Sequence, residues 1–128
     1  MIEARAEHDE HGSGMVLHEE PERSLVEVWG EVDLSVRQTA GPLCEAVVER
    51  ALPVVIDARR VTFMDSAGMS ILVRIARDAE TTGYPVVLEN APWMLKELLT
   101  ITGVDRLLPI AEDDEPGTPA AGETSAQP

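Results

Sequence analysis

The 128-residue chain is 44% hydrophobic and carries a formal charge of −14, so it is long enough to form one domain with a real core. It contains one lysine and no basic stripe, which argues against binding to nucleic acid or to an anionic membrane surface. No apolar run approaches the ~20 residues of a membrane span, and the charged start lacks the apolar core of a signal peptide. We therefore expect a cytoplasmic protein.

Charge and composition divide the chain into three parts. Seven acidic and two basic residues give residues 1–23 a net charge of −5, twelve acidic and eight basic residues give 24–110 a net charge of −4, and five acidic residues give 111–128 a net charge of −5. The first part is polar without periodicity up to residue 14, and the last is acidic and then rich in Pro, Gly, Ala, Ser and Thr. The sequence predicts a mobile arm over 1–14, a domain over 15–110 and a disordered tail from residue 111.

Two strands open the predicted domain. Met15–His18 is a short apolar strand, and in Ser24–Val32 the small apolar residues alternate with a second set that includes two glutamates. The charged segment Glu19–Arg23 between them is typical of a turn. The simplest interpretation is an antiparallel hairpin.

The next segment predicts a helix whose start is left open. Ser35 and Gln38 have the spacing of a capping box, which favours an early start. Pro42 opposes it, because a proline inside a helix loses one backbone hydrogen bond and clashes with the preceding turn. Either the helix kinks at Pro42 or its regular part runs from Pro42 to about Ala51, and we favour the late start.

The central segment combines a buried strand with an amphipathic helix. Val54–Ala58 is an apolar run of the kind that a parallel strand buried on both faces needs. The polar residues Arg59 and Arg60 are predicted to follow the end of this strand. A helix follows Ser66 and ends near Thr82, where a glycine and then a proline stop it. Its apolar stripe is predicted to contain Met69, Leu72, Val73 and Ala76, widened by Ile71 and Ile75.

The last part of the domain repeats the alternation of strand and helix. Val86–Leu88 is a further buried strand, Pro92 opens a helix, and Leu107–Ile110 is a candidate edge strand. The apolar face of that helix is predicted to contain Met94, Leu95, Leu98 and Leu99. The whole pattern predicts an α/β fold: a mostly parallel sheet of four to five strands, an antiparallel N-terminal strand and three to four helices. The turns that follow Val32 and Met64 should be neighbours at one sheet edge.

The search for chemistry gives few candidates. Cys44, the single cysteine, lies among apolar residues and is predicted to be a core residue. Neither a phosphate-binding glycine motif nor a metal-ligand spacing is present, and no histidine follows Ser66 as the hydrolase order requires. Asp33, Asp57 and Asp65 are either a magnesium cluster or strand-end and capping residues, and we favour the second interpretation. We therefore predict no catalytic residue, no cofactor and no metal.

Ser66 is the residue of most interest. An Asp or Ser just before an apolar helix is the usual N-cap, where the first free amides and the positive end of the helix dipole tolerate an added phosphate. The residue pattern alone supports plain N-capping and phosphorylation of Ser66 equally.

Three blocks of the sequence resemble the signature blocks of STAS domains in the bacterial anti-sigma factor antagonist family. They are Val28–Leu34, Val54–Gly68, which ends in Asp-Ser-Ala-Gly, and Leu98–Asp105. Their order and spacing also match, and the resemblance covers about residues 15–110. The D-S-x-G block, together with the apolar residues that precede it, is the block most specific to this family, and the other two blocks support it.

This resemblance implies a STAS fold and a partner switch. In the family, the serine at the position of Ser66 is phosphorylated by an anti-sigma factor that is itself a serine kinase. The unphosphorylated form captures that kinase and releases a sigma factor, and a serine phosphatase resets the switch. The implied protein is not an enzyme, binds neither nucleic acid nor membrane, and is a monomer or weak dimer. The alternative is a STAS scaffold or small-molecule sensor in which Ser66 is never phosphorylated.

The predicted partner-binding surface combines the two neighbouring turns with one side of the helix after Ser66. Arg74 and Arg77 share the helix side of Ser66 and not the packed stripe. The predicted partner-binding residues are Asp33, Asp65, Ser66, Ala67, Gly68, Met69, Ser70, Arg74 and Arg77.

Overall fold

The computed structural model describes residues 13–111, and within them four strands form one sheet in the order β1-β2-β3-β4. The strands are β1 (Ser13–Glu19), β2 (Ser24–Val32), β3 (Val54–Met64) and β4 (Val86–Glu89). The helices are α1 (Arg37–Arg50), α2 (Ser66–Thr82) and α3 (Trp93–Thr102), with 3₁₀ turns at Leu34–Val36 and Val104–Arg106. β1 is antiparallel to β2, whereas β2, β3 and β4 are parallel, which confirms the predicted α/β class.

The hairpin is confirmed, and it begins earlier than predicted. β1 pairs with β2 from Ser13 opposite Gly30 to Glu19 opposite Ser24. Two residues of the predicted arm therefore belong to the sheet. The rest of the arm, with His8 and His11, and the tail from residue 112 lie outside the described residues.

The helices α1 and α2 cover one face of the sheet. Both β2-α1-β3 and β3-α2-β4 are crossovers between adjacent parallel strands, and right-handed crossovers in the same direction place their helices on the same face. α1 and α2 also contact each other. In β2, Val26 and Val28 are buried while Glu27 and Trp29 are half-buried, so the core lies between the sheet and these helices.

The predicted late start of helix α1 at Pro42 is wrong. The helix begins at Arg37 and contains Pro42. Pro42 is exposed, so the one carbonyl that loses its amide partner lies on the solvent side. The buried stripe of α1 is Ala40, Leu43, Cys44 and Val47. Cys44 is a core residue as predicted, and burial raises the pKa of its thiol to about 11.

Strand β3 continues six residues beyond its predicted end, so Arg59 and Arg60 lie within it. Its register with β2 shifts twice, once before Arg60 and once before Phe63. At each shift β3 has an extra residue, and two consecutive side chains are exposed where strict alternation would bury one. Pairing then resumes and ends with Val32 opposite Met64.

Helix α2 ends at Thr82 as predicted and begins at Ser66, one residue earlier than predicted, and one residue of its predicted stripe is wrong. Gly83 adopts φ 103° at the C-cap, which an L side chain disfavours and glycine permits. Val73 is only half-buried. The buried residues of α2 are Gly68, Met69, Ile71, Leu72, Ile75, Ala76 and Ala79.

The C-terminal elements differ from prediction in two details. In α3, Leu95 and Leu99 are buried, whereas Met94 is 37% exposed and Leu98 is only partly buried. The predicted edge strand reduces to one parallel bridge between Leu88 and Ile110, because a 3₁₀ turn occupies the residues before it. Within residues 13–111, no helix has the length and apolar character required to cross a membrane.

Candidate functional site

Asp65, and not Ser66, caps helix α2. Asp65 has an extended backbone, with φ −108° and ψ −169°, and its Oδ1 accepts a hydrogen bond from the amide of Gly68 at 3.0 Å. Its carbonyl accepts the first helical bond from Met69 at 2.9 Å. The interpretation of Ser66 as the N-cap is therefore wrong.

Ser66 is the first helical residue and is exposed. Within residues 13–111, no hydrogen bond engages its hydroxyl. By contrast, the hydroxyl of Ser70 on the next turn donates to the carbonyl of Ala67 at 2.7 Å. Ser66 thus presents an unengaged nucleophilic oxygen beside the first amides of a 17-residue helix.

Gly68 brings the start of α2 against the end of β2. A Cβ at Gly68 would overlap the carbonyl oxygen of Val32 and lie 2.8 Å from Cγ of Met64. The amide of Asp65 donates to that same carbonyl at 3.3 Å. These contacts place the turn after β3 directly beside the turn after β2, which confirms that the two turns are neighbours.

The turn after β2 is held by Asp33. Its Oδ1 accepts from the amide of Ser35 at 2.9 Å and from the Ser35 hydroxyl at 2.6 Å. These hydrogen bonds to the charged form lower the pKa of the Asp33 carboxyl. The predicted capping box of Ser35 and Gln38 is wrong, because Asp33 supplies the cap and α1 itself, with Val36 at its N-cap, has no side-chain cap.

One side of α2 extends the site away from the turns. Ser70, Val73 and Arg77 follow Ser66 at i+4, i+7 and i+11, so they lie on one helix side. Arg74 is on the same side, 48% exposed, with its Nε 3.6 Å from Oδ2 of Asp78. This exposed side is distinct from the buried stripe.

Two of the nine predicted partner-binding residues are not accessible. Met69 is 8% exposed and belongs to the core, because it faces the sheet with the stripe and not with Ser66. Gly68 is also buried, against Val32. The other seven lie at the surface: Ser66, Ser70, Arg74 and Arg77 are exposed, and Asp33, Asp65 and Ala67 are half-buried.

Two apolar residues at these turns are exposed, which was not predicted from the sequence. Leu34, the residue after Asp33, is 59% exposed, and Phe63, two residues before Asp65, is 49% exposed. Phe63 lies beyond Ala58, where the predicted strand ended, so strand alternation was not applied to it and its exposure was not predicted. The available signal was the position of Leu34 in a polar turn, outside any apolar periodicity.

The carboxylates do not form a metal site in the part of the chain described. Asp57 accepts from the amide of Arg59 at 3.0 Å and from Nδ2 of Asn90 at 3.3 Å, well before the end of β3. Asp33 and Asp65 are occupied as caps. Among residues 13–111, no group of three or more His, Cys, Asp or Glu side chains is placed to hold a metal ion.

An α/β domain with a hairpin-started sheet, and with a serine exposed where β3 meets α2, is the arrangement expected of a STAS domain. A family profile described as "Mlab, STAS domain" matches residues 15–109. The chain belongs to the STAS domain family, which confirms the resemblance seen in the sequence.

Similar solved structures include anti-sigma factor antagonists. The unphosphorylated anti-sigma factor antagonist SpoIIAA is 19% identical with a TM-score of 0.63, over 77% of this chain and 89% of that chain. The phosphorylated form of SpoIIAA, the Bacillus cell fate determinant, is 17% identical with a TM-score of 0.62, over 77% and 92%. An anti-sigma factor antagonist from Mycobacterium paratuberculosis is 25% identical with a TM-score of 0.64, over 75% and 82%.

Proposed function

We propose that this protein is a cytoplasmic bacterial anti-sigma factor antagonist whose partner binding is switched by phosphorylation of Ser66. In its unphosphorylated form it binds a serine-kinase anti-sigma factor and so releases a sigma factor. Phosphorylation ends that binding, and a serine phosphatase restores it. The observation that carries the proposal is the exposed, unengaged hydroxyl of Ser66 at the first position of α2, next to a cap that Asp65 supplies.

The free protein tolerates a phosphate at this position. A phosphoserine adds about −1.5 to −2 charges at neutral pH, and the first amides and dipole of α2 favour negative charge there. The carboxylate of Asp65 opposes the added charge, but it remains bonded to the amide of Gly68. Phosphorylation is therefore expected to leave the fold intact.

The bound state does not tolerate the phosphate. Leu34 and Phe63 place exposed apolar surface at the two turns beside Ser66, and a partner that covers them must remove water from the serine as well. A phosphate in that interface loses its hydration, and the caps of the two turns, Asp33 and Asp65, are carboxylates that repel it. The switch therefore acts on the complex and not on the fold.

The proposed role requires no catalytic group in this chain. The kinase supplies ATP and magnesium, and this protein is its substrate in one state and its ligand in the other. Leu34 and Phe63 supply apolar contacts, while Arg74 and Arg77 lie along the rim of the same surface on α2. Arginine is one of the residue types that most often carry a large share of the binding energy in protein interfaces.

The test uses the Ser66→Ala variant as bait in the native lysate. We expect it to capture a kinase-like anti-sigma factor, because loss of the hydroxyl removes no cap and adds no charge at position 66. The captured kinase with ATP should add one phosphate to the wild-type chain and none to Ser66→Ala, as read from intact mass. Ser66→Asp should keep the wild-type melting temperature and bind the kinase much more weakly.

Ser70→Ala is the matched control, because Ser70 lies one turn away on the same side and its hydroxyl is already bonded to Ala67. It should still gain one phosphate. If the wild type gains none, or if Ser66→Asp binds as tightly as Ser66→Ala, Ser66 is not a switch. The scaffold or sensor alternative then replaces the proposal.

A further inference from the structure

The sheet has a second face that none of the described helices covers. Helices α1 and α2 lie on the first face, and Leu95 and Leu99 of α3 belong to the same buried core cluster. In β2 and the first half of β3, the core residues alternate with side chains that point to the opposite side. We call that side the second sheet face, and its charged and aromatic residues include Glu27, Trp29, Asp57, Arg59, Arg60 and Glu89.

Three carboxylates form a row across the second sheet face. Glu27, Asp57 and Glu89 lie side by side in register on β2, β3 and β4, and neighbouring strands are about 4.8 Å apart. Oε1 of Glu27 is 2.9 Å from Nε2 of His18, and the Asp57 side chain accepts from Nδ2 of Asn90 at 3.3 Å. Glu89 forms no ion pair with a described residue. Because like charges side by side on a sheet repel, this row favours cations above it.

Two arginines form a second row beside the carboxylates. Trp29 lies opposite Arg60, about 7 Å along β2 from Glu27. Cζ of Arg60 is 5.8 Å from the centre of the Trp29 ring, and Nη2 of Arg59 is 3.9 Å from Oδ2 of Asp57, so both arginines lie on this face. The Arg59 side chain is 68% exposed. Arg60 is exposed too, and it forms no ion pair with a described residue.

Apolar side chains continue the face on the other side of the carboxylate row. Leu25, Val55 and Val87 are in register two residues before the carboxylates, and all three are half-buried. None of them belongs to the core cluster between the sheet and the helices. A layer that covered the second sheet face would therefore bury apolar surface and could also pair the charges of both rows.

The two charged rows are complementary to each other, so the second sheet face is complementary to a second copy of itself. In a dimer with two-fold symmetry, a contact from residue i to residue j is matched by a contact from j to i. A two-fold axis that runs across the strands, between the rows, places the carboxylate row of each copy over the arginine row of the other. An axis on either row would place like charges over like charges, so the charges select one register.

We propose that two copies of the chain pair through their second sheet faces, with Arg59 and Arg60 of each copy facing the carboxylate row of the other. The strands of the two sheets then run in opposite directions, and the sheets are about 10 Å apart, a gap that arginine and carboxylate side chains together span. Trp29 lies beside the axis, so dimerisation covers its ring. Helix α2 lies in the opposite layer, so its exposed side stays accessible, and the dimer does not depend on phosphorylation of Ser66.

The test exchanges the charges of the two rows in the full-length chain. The arginine-row variant carries Arg59→Glu and Arg60→Glu. The carboxylate-row variant carries Glu27→Lys and Glu89→Lys, and it leaves Asp57 with its hydrogen bonds. Each variant alone places like charges over like charges, which should raise the dissociation constant of the dimer by at least about a hundredfold.

An equal mixture of the two variants should restore the dimer, because opposite charges meet at both contacts of the heterodimer. We expect its dissociation constant to lie within about tenfold of the wild-type value, as measured by sedimentation equilibrium at constant salt. Circular dichroism and the melting curve of each variant alone show that it is folded.

The matched control carries Arg37→Glu and Arg106→Glu, at two exposed positions at the start of α1 and after α3. Two such changes move the formal charge from −14 to −18, as in the arginine-row variant, whereas the carboxylate-row variant moves it to −10. The equal mixture therefore keeps the wild-type mean of −14. The control should dimerise as the wild type does.

Trp29 supplies a second measurement. The chain has two tryptophans, and Trp93→Phe leaves Trp29 as the only one. Trp93 is 75% exposed on α3, so its replacement does not alter the second sheet face. Acrylamide quenching of Trp29 should fall as the protein concentration rises through the dissociation constant. In the same background with Arg59→Glu and Arg60→Glu, it should not change with concentration.

Each of the following results would overturn the proposal. A wild-type chain that stays monomeric at every concentration does not pair through this face. Dimers of wild-type strength in both charge variants place the contact elsewhere, and a mixture that stays monomeric, with both variants folded, means that the rows do not face each other. Equal weakening in the control assigns the effect to net charge. Quenching of Trp29 that is low at every concentration means that the chain covers this face itself.

Discussion

Asp65 and Ser66 are adjacent in the chain, yet the fold gives them separate tasks. Asp65 keeps an extended backbone and directs its carboxylate back to the amide of Gly68, as a cap must. Ser66 already has helical geometry and its side chain points away from that task. The residue pattern offered both Asp65 and Ser66 as caps, and the structure assigns the cap to Asp65. Phosphorylation of Ser66 remains a prediction.

Gly68 is expected to be intolerant of any side chain. In Gly68→Ala the added methyl overlaps the carbonyl oxygen of Val32, which the sheet prevents from moving away. The strain should exceed the gain in helix propensity and lower the free energy of unfolding by about 1–3 kcal/mol. It should also displace Ser66 and weaken kinase binding. Chemical denaturation and a binding titration measure the two effects.

Gly41→Ala is the control for helix propensity, because Gly41 lies inside α1 and a Cβ there meets no atom within 4 Å. That variant should be neutral or gain up to about 1 kcal/mol. If Gly68→Ala and Gly41→Ala change the free energy of unfolding in the same direction, the close approach of Gly68 to Val32 is not what makes Gly68 intolerant of a side chain.

At the scale of elements, the site depends on the length of β3. The strand extends to Met64, well past the end of β4, which pairs only as far as Asp57 opposite Glu89. The turn that carries Ser66 therefore follows a part of the sheet made by β2 and β3. The register shifts that permit this extension also expose Phe63 at the same end. One feature of the strand thus positions the serine and supplies apolar surface.

The exposed side of α2 makes a separate prediction for its two arginines. Arg74→Ala removes only an exposed ion pair with Asp78, and Arg77 forms none with a described residue, so each change should alter the free energy of unfolding by less than about 0.5 kcal/mol. Each should weaken kinase binding by about 1–2 kcal/mol if the partner covers this side. Calorimetric titration at constant salt is the measurement.

Arg106→Ala is the matched control, since Arg106 is exposed in the 3₁₀ turn after α3 and shares no helix side with Ser66. It should leave both stability and affinity unchanged. An affinity that is insensitive to Arg74 and Arg77 would confine the partner surface to the two turns.

For the whole molecule, we predict that residues 13–111 form a complete cooperative unit. A chain reduced to 13–111 keeps every strand pair, including the bond from Ala111 to Leu88. It should melt in one transition, within about 5 °C of the full-length protein, because residues 13–111 contain every residue of the described core. Circular dichroism and calorimetry test the cooperativity.

A chain reduced to 15–111 is the sharper comparison. It removes Ser13 and Gly14, which are buried and pair with Gly30 and Trp29. We expect a clearly lower melting temperature than for 13–111. Equal melting temperatures would show that β1 is complete from Met15, as the sequence indicated, and an unfolded 13–111 chain would place part of the core in the termini.

Local periodicity was enough to predict most of the elements. The hairpin, the order of strands and helices, the core position of Cys44 and the C-terminal end of α2 follow from alternation, helical spacing and a glycine that permits a left-handed C-cap. The D-S-x-G block located the serine turn, and the resemblance it carries agrees with the family match over residues 15–109. These features depend on neighbours in sequence, which is why the sequence alone determined them.

The remaining features depend on contacts between distant segments, and only the tertiary structure decided them. Pro42 fits inside α1 because the backbone hydrogen bond that it cannot make lies on the solvent side of the helix. Helix propensity does not predict which side that is. Met69 is buried and Phe63 exposed because the register between β2 and β3 and the packing of α2 fix which side of each element meets the sheet. The task of Asp65 likewise required the geometry of the turn, since sequence offers two adjacent caps and backbone dihedrals choose between them.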